Sequence, residues 1–172
     1  MADRKSLNEA LLVDALKARF GDSILETEIS QGEVTHTVDG ATLPDICAYL
    51  KDDSQYSFNF LSDMHATDNN KGAPRFEVIY HLYSIPKKHR LRLKVKVDEG
   101  ESVPTVTSVW KSADWAEREA YDMIGVTFDG HPNMTRIYLP SGWDGHPLRK
   151  DYPLRGYKDE YNPFGEENGE EK

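Results

Sequence analysis

The chain has little cysteine and little positive charge for its size. Of its 172 residues only Cys47 is a cysteine, which excludes an internal disulfide framework and any cysteine-rich zinc or iron–sulfur site. Lysine and arginine number 21 against 30 aspartates and glutamates, a formal net charge of -9. Such a balance argues against general nucleic-acid binding, which depends on clustered cations.

Long apolar runs are also missing. No segment approaches the ~18 consecutive apolar residues that a membrane span needs. The N-terminal MADRKSLNEA has no apolar stretch behind its charges, so we predict no signal peptide. Together with the cysteine count, these features indicate a cytoplasmic protein.

Two helices are predicted in the first third of the chain. The capping box Ser6–Glu9 precedes an amphipathic stretch and predicts a helix over residues 6–20, which Gly21 ends. A second helix is predicted from Thr42, with Pro44 in its first turn. Its buried face comprises Leu43, Ile46, Cys47 and Leu50, so Cys47 is expected in the core.

Strand patterns follow the first helix and the second. The predicted strands are residues 24–30, 33–38, 56–65, 75–85 and 90–97. In the last of these, apolar residues alternate strictly with arginines and lysines over eight positions, which is typical of a strand with one buried face. A turn at Pro86–His89 predicts that the last two strands pair as a hairpin.

The basic face of residues 90–97 allows two interpretations. An RNA-binding sheet is one, because Arg92 and Lys94 could contact phosphates. That use normally interleaves aromatic residues for base stacking, and no aromatic residue lies between these cations. We therefore favour a solvated or partner-facing surface.

A third helix is predicted around residues 114–124. Asp114 and Glu117 form a capping box at its start, and Gly125 ends it. Glu117 and Glu119 are two residues apart, which puts them on different sides of a helix, so they do not form a catalytic carboxylate pair. We expect the acids of this helix to form a solvated or interface charge cluster, with Arg118 and Asp122 close enough for an ionic contact.

The tetrapeptide DGHP occurs twice, at Asp129–Pro132 and at Asp144–Pro147. Its aspartates and histidines are four potential metal ligands, which leaves a metal-dependent enzyme as an alternative. Short-spaced ligand pairs of the kind found in zinc sites are missing, however. Glycine accepts positive φ and proline favours an extended preceding residue, so DGHP is explained as a turn with a rigid exit.

These patterns predict an α+β fold: an antiparallel or mixed sheet with helices packed on one face, over residues 1–125. Residues 126–155, called the arm below, are predicted to be an extended, irregular segment that binds a partner. They are rich in glycine and proline but too aromatic for solvated coil. Residues 156–172 form an acidic tail that is expected to be flexible.

The run VWKSADWAEREAYDMIGVTFDGHPNMTRIYLPSGWDGHPLRKDYPL resembles the 30 kDa subunit family of respiratory complex I, the C subunits of the NADH–quinone oxidoreductases. The resemblance rests on the E-R-E-x-x-D helix at Glu117–Asp122, on His131, on Arg136-Ile137 and on the closing GHPLRKDYP at Gly145–Pro153. It covers about residues 109–155.

The resemblance implies a non-catalytic subunit of the peripheral arm of the complex, on the cytoplasmic side of the inner membrane. It implies no flavin or iron–sulfur cluster in this chain; FMN and the clusters are expected in partner subunits, and NADH and quinone are bound by the complex. The implied partners include two subunits that together form the quinone site. These are the D-type subunit, called the quinone-site subunit below, and the small cluster-carrying B-type subunit.

The same resemblance implies a set of interface and motif residues on the third helix and along the arm. They are Glu117, Arg118, Glu119, Asp122, His131, Arg136, Trp143, His146, Leu148, Arg149, Lys150, Asp151 and Tyr152.

One alternative lies within the same superfamily. The equivalent subunit of a membrane-bound hydrogenase, or of another dehydrogenase complex, would show the same features, because the electron donor and acceptor chemistry lies in other subunits.

Overall fold

The fold is described from a computed structural model of the chain. It describes residues 3–70 and 72–167, with side chains from residue 12 onwards. Helices are α1 (Asp3–Phe20), α2 (Leu43–Asp52) and α3 (Ala113–Ile124). Strands are β1 (Ile24–Ser30), β2 (Glu33–Val38), β3 (Phe60–Asp68), β4 (Phe76–Ser84), β5 (His89–Val97), β6 (Ser102–Pro104) and β7 (Thr127–Asp129).

The five longer strands form one mixed sheet in the order β1-β2-β5-β4-β3. Strands β3, β4 and β5 are an antiparallel meander, and β1 pairs antiparallel with β2. The exception is the parallel pair β2–β5, which joins the two antiparallel units. The predicted α+β class, mixed sheet and β4–β5 hairpin are confirmed.

One face of the sheet carries the core. Alternate residues of β4 and β5 are buried, and the intervening residues point to the other face. The buried faces of α2 and α3 lie in the same apolar cluster, with Leu12 and Leu16 of α1. All four predicted core residues of α2, including Cys47, are fully buried. Among the described helices, none has both the length and the apolar character for a membrane crossing.

Helix ends agree with the sequence only in part. Gly21 and Gly125 both follow a helix with positive φ, +49° and +85°, because glycine has no Cβ to oppose that conformation. Helix α1 begins at Asp3, so Ser6 lies inside the helix and the predicted N-terminal boundary was wrong. The side chains of that capping box lie outside the described residues.

The predicted strand at 56–65 was wrong at its start. Tyr56 and Phe58 are buried, but they belong to a turn after α2 and not to β3. Ser57 between them has φ +48°, and the N–H of Phe58 is donated to the carbonyl of Leu50. Alternating aromatic residues here fill the core end of α2, which a period-two pattern cannot distinguish from a strand.

A small second sheet escaped prediction. Strands β6 and β7 pair in parallel over three residues each, too few for a period-two signal. The pair holds the chain that enters α3 beside the chain that leaves it. It therefore fixes both ends of α3 relative to the main sheet.

Candidate functional site

Glu117 is a fully buried carboxylate near the start of α3. Its Oε1 accepts the Val106 N–H at 2.8 Å, and its Oε2 accepts the Thr105 hydroxyl at 2.5 Å. Burial raises the pKa of this carboxyl, against the effect of those two hydrogen bonds. The predicted capping box was wrong, because Glu117 reaches the loop after β6 and Ser112, not Asp114, is the N-cap residue.

Asp122 is a second fully buried carboxylate on α3. Its Oδ2 accepts three consecutive backbone N–H groups, those of Ile137, Tyr138 and Leu139, at 2.9, 2.8 and 3.1 Å. Its Oδ1 accepts from Arg136 at 2.8 Å. Burial works against ionisation of Asp122, but Arg136 and the three N–H groups outweigh it, so its pKa is lowered.

The burial of these two acids corrects the expected charge cluster. Glu117 and Asp122 are not solvated, since each is completely enclosed and hydrogen-bonded. Glu119 alone of the three is exposed. Charged residues at helical spacing usually indicate a solvated face, and the sequence holds no local signal that two of them turn inwards to hold other segments.

Two arginines complete the contact between α3 and the arm. Arg136 donates to the carbonyls of Trp143 and Gly145 at 3.2 and 3.0 Å, besides its bond to Asp122. Arg118 donates to the carbonyl and the hydroxyl of Thr135, at 3.0 and 2.9 Å. The predicted contact of Arg118 with Asp122 was therefore wrong: Asp122 pairs with Arg136.

Both DGHP histidines bind α3. The Nε2 of His131 lies 3.2 Å from the Asp114 carbonyl, and the Nδ1 of His146 lies 3.0 Å from the Asp122 carbonyl. A carbonyl only accepts, so each of these ring nitrogens carries the proton. The preceding glycines, Gly130 and Gly145, have φ of +76° and +74°, which confirms the predicted turns. Each repeat thus places an imidazole on one end of the same helix.

The end of the arm is bound to the domain through ion pairs. Arg149 donates to the Ile124 carbonyl at 2.7 Å and pairs with Glu99 at 2.6 Å. Asp151 pairs with Arg75 at 2.8 Å. The Lys150 N–H is donated to Asp68 at 2.8 Å.

Asp68, at the end of β3, is the centre of that second cluster. It is buried, and both of its carboxylate oxygens accept from Arg75 at 3.1 Å. Burial tends to raise its pKa, but Arg75 and the N–H groups of Lys150 and Asn70 lower it to about 2. Sequence reasoning missed Asp68, Arg75 and Glu99, because nothing near them marks a contact with a segment so distant along the chain.

The large apolar side chains of the arm point outwards. Tyr138 is 65% exposed, Leu148 59% and Leu154 101%. Tyr138 also lines an open groove of about 380 Å³ between α3 and β3, together with Trp115. Trp143 and Tyr152 are half-buried. An apolar surface of this kind is typical of an interaction site.

The open face of the main sheet has no unbalanced positive stripe. Three cations of β5 lie beside acids of neighbouring strands: Arg92 is 3.4 Å from Glu33, Lys94 is 3.9 Å from Glu77, and Lys96 is 3.8 Å from Glu26. Acids on β1, β2 and β4 therefore offset the cations of β5. This arrangement favours the interpretation as a solvated or partner-facing surface over an RNA-binding sheet.

Comparisons with known proteins bear on the whole chain. Residues 36–158 match the model of the family described as respiratory-chain NADH dehydrogenase, 30 Kd subunit. A protein of Rhizobium etli, named as an NADH-quinone oxidoreductase C subunit, is 45% identical over 97% of this chain and 87% of its own length. The protein of the same name in Geobacter sulfurreducens is 51% identical over 82% of this chain and 87% of its own length.

The match spans most of the sheet, α3 and the arm. It includes Asp122, Arg136 and both DGHP repeats, whose contacts join the arm to α3. The chain belongs to the family of the 30 kDa subunit of the respiratory-chain NADH dehydrogenase.

Proposed function

We propose that this chain is a non-catalytic subunit of a proton-translocating NADH–quinone oxidoreductase, in which its arm docks on the quinone-site subunit. The names of its relatives in Rhizobium etli and Geobacter sulfurreducens support this proposal. In this proposal NADH and quinone bind to other parts of the complex. FMN and the iron–sulfur clusters lie in partner subunits, among them the small cluster-carrying subunit next to the quinone-site subunit.

The observation that carries the docking proposal is the two-sided character of the arm. Its polar groups face the domain, where Arg136, Arg149 and the Lys150 N–H are paired. Its apolar groups Leu148 and Leu154 face away from the domain. An arm whose shape is fixed from one side and whose apolar residues lie on the other is suited to bind a second protein.

Burial of these side chains gives a large part of the expected affinity. A leucine side chain that becomes fully buried contributes about 2 kcal/mol. Because the arm is already ordered by Asp122 and Arg136, little conformational entropy remains to be lost on docking. The exposed charges of Glu119 and Asp151, with that of Lys150, are placed to add contacts at the rim of such an interface.

The same proposal locates the chain on the cytoplasmic side of the inner membrane. Binding to the other peripheral-arm subunits holds it there, without a membrane segment of its own among the described residues. The paired charges of the open sheet face agree with a protein partner and not with nucleic acid.

A matched pair of double variants tests the docking surface. Leu148→Ser with Leu154→Ser removes two exposed leucines from the arm, and Leu25→Ser with Ile29→Ser removes two exposed side chains from β1. Each tagged variant is expressed in the native host, and the amount of the quinone-site subunit that co-purifies is measured. We expect the arm variant to lose most of that subunit and the β1 variant to keep it.

Both variants are expected to unfold within about 0.5 kcal/mol of the wild type, because the changed side chains are exposed. Normal recovery of the quinone-site subunit with the arm variant would contradict docking through the arm. Recovery of a hydrogenase instead of NADH-oxidising subunits with the wild-type chain would contradict the assignment to this oxidoreductase.

A further inference from the structure

The open face of the main sheet holds a cluster that the function proposed above does not use. Asp63 and His65 lie on β3, and His81 lies on β4. One potential ligand atom from each residue lies within 4.8 Å of the other two, and among the described residues no other such group of three occurs. We propose that Asp63, His65 and His81 form a binding site for a divalent transition-metal ion of the Zn²⁺ type.

The sheet itself brings the three residues together. Strands β3 and β4 are antiparallel, with Asp63 opposite His81 and His65 opposite Ile79. Residues two apart on one strand share a face with the residue opposite the first of them, so the three side chains leave the sheet on the same side. A bulge between Leu61 and Asp63 shifts the register just before the cluster. Bulges commonly redirect side chains at binding sites.

The side chains already converge in the absence of an ion. The Nδ1 of His65 lies 3.3 Å from the Oδ2 of Asp63. The rings of His65 and His81 are stacked, with centroids 5.4 Å apart and planes 21° from parallel. Bonds of about 2.0–2.2 Å to one zinc ion put its ligand atoms roughly 3.3 Å apart. The widest pair must therefore approach by about 1.5 Å, which the exposed Asp63 and the half-exposed His65 can do by side-chain rotation.

Two imidazole nitrogens and one carboxylate oxygen define the class of metal. Imidazole suits Zn²⁺, Cu²⁺ and Ni²⁺, whereas Mg²⁺ and Ca²⁺ prefer oxygen ligands throughout. Three protein ligands leave at least one coordination position for water or for a group of another molecule. His81 also borders an open cavity of about 240 Å³, which leaves space for such a fourth ligand.

The protonation state of His81 favours metal binding. Burial lowers the pKa of His81, and the nearby positive charges of Arg92 and His65 lower it further, against Asp63 and Glu33. The ring is therefore neutral near neutral pH, which is the form that binds a metal. Because protons compete for the same nitrogens, affinity is expected to fall as the pH is lowered through the titration of the two imidazoles.

The two histidines of the DGHP repeats are held differently. His131 and His146 each contact a carbonyl of α3, and neither belongs to the group of three. Their removal is therefore not expected to affect this site.

Titration of the full-length chain with Zn²⁺ tests the proposal. Binding is measured by calorimetry at about pH 7.5, where both imidazoles are neutral, on protein freed of metal with a chelator. We expect one ion per chain, and at least ~10-fold weaker binding in His65→Gln and in His81→Gln. Asp63→Asn is expected to weaken binding less, because the amide oxygen is still a ligand, though an uncharged one.

The matched control is His89→Gln. His89 lies at the start of β5 and is outside the cluster, so its variant is expected to bind as the wild type does. Circular dichroism checks that each variant is folded. A second measurement does not depend on variants: addition of Zn²⁺ to the wild type is expected to shift the ring C–H resonances of His65 and His81 and leave those of His131 and His146 in place.

Either of two results would overturn the proposal. One is binding that is absent, or that both His65→Gln and His81→Gln leave unchanged. The other is a zinc-induced shift of the imidazole resonances outside the cluster in place of those within it.

Discussion

Strands β3, β4 and β5 pair their backbone groups with one another, whereas the arm pairs many of its backbone groups with charged side chains. Asp122 accepts the N–H groups of residues 137–139. Arg118 and Arg136 donate to carbonyls at residues 135, 136, 143 and 145. A segment without a ladder still needs partners for its polar groups, and here the charged residues of α3 and the arm are those partners.

The two regions therefore depend on different forces. The meander is stabilised chiefly by burial of alternating apolar residues such as Tyr80 and Leu93. The arm leaves several of its large apolar side chains exposed and depends on a few charge-assisted hydrogen bonds. Such bonds are stronger than neutral ones but fail together when one member is lost.

The largest effect is expected from a change in the meander. Leu93→Ala removes a completely buried side chain from the centre of the sheet and is expected to lower the free energy of unfolding by about 4 kcal/mol. Urea unfolding followed by circular dichroism measures it. The whole domain should lose stability, since β5 contacts both β2 and β4. A loss below about 1 kcal/mol would show that this core position is not tightly packed.

A change in the arm's anchor is expected to come next. Asp122→Asn leaves the Arg136 cation without its partner and places an amide where three N–H groups need an acceptor. We expect a loss of about 3 kcal/mol in the stability of the docked arm. The control is Glu119→Gln on the same helix, which is exposed and is expected to change stability by less than about 0.5 kcal/mol. Equal effects in both variants would contradict the role of Asp122.

A smaller, pH-dependent effect is expected at His36 in β2. This side chain is completely buried and its Nδ1 lies 3.0 Å from the Thr27 hydroxyl. Burial, and then Lys17, lower its pKa from 6.5 to about 4. The unfolded chain therefore takes up a proton before the folded chain does. Its contribution to stability is complete above about pH 6.5 and is lost as the pH falls towards 4.

Between about pH 7 and pH 5 this one residue is expected to cost about 2 kcal/mol of unfolding free energy. Denaturant unfolding at the two pH values measures the loss. His36→Gln should reduce the loss by that amount, whereas His89→Gln, a change at a residue that is not fully buried, should leave it as it is in the wild type. An unchanged loss in His36→Gln would mean that other groups cause it.

The smallest effect is expected at the other buried carboxylate of α3. Burial raises the pKa of Glu117, so the charge itself is a disadvantage in the folded chain at neutral pH. In Glu117→Gln the amide oxygen still accepts the Val106 N–H and the amide nitrogen can donate to Thr105. We expect a loss of about 1 kcal/mol or less at neutral pH in urea unfolding. A loss as large as that of Asp122→Asn would contradict the distinction between the two acids.

The sequence allowed the meander to be predicted better than the arm. Alternation of apolar and charged residues identified β5 and its buried side chains, and the turn after β4 predicted the hairpin. Such patterns repeat along the chain, so each strand provides its own evidence. The parallel pairing of β2 with β5 could not be predicted, because it joins segments that are separated by α2, β3 and β4.

The contacts of the arm were beyond prediction for another reason. The sequence indicated that Glu117, Asp122, His131 and Arg136 matter together through a family resemblance, but not which atom each one binds. Asp68 had no sequence signal, since a lone aspartate at a strand end is usually solvated. Contacts between a carboxylate and backbone N–H groups leave no residue pattern at the acceptor's partners, because every residue except proline has an N–H.

Hydrogen exchange at the N–H groups of Ile137, Tyr138 and Leu139 tests most directly whether α3 holds the arm. In the wild-type chain we expect these amides to be protected, because each is donated to Asp122. In Asp122→Asn they should exchange at least ~100-fold faster, while the amides of β4 and β5 keep most of their protection. Fast exchange of all three in the wild type, or unchanged protection in the variant, would contradict the account.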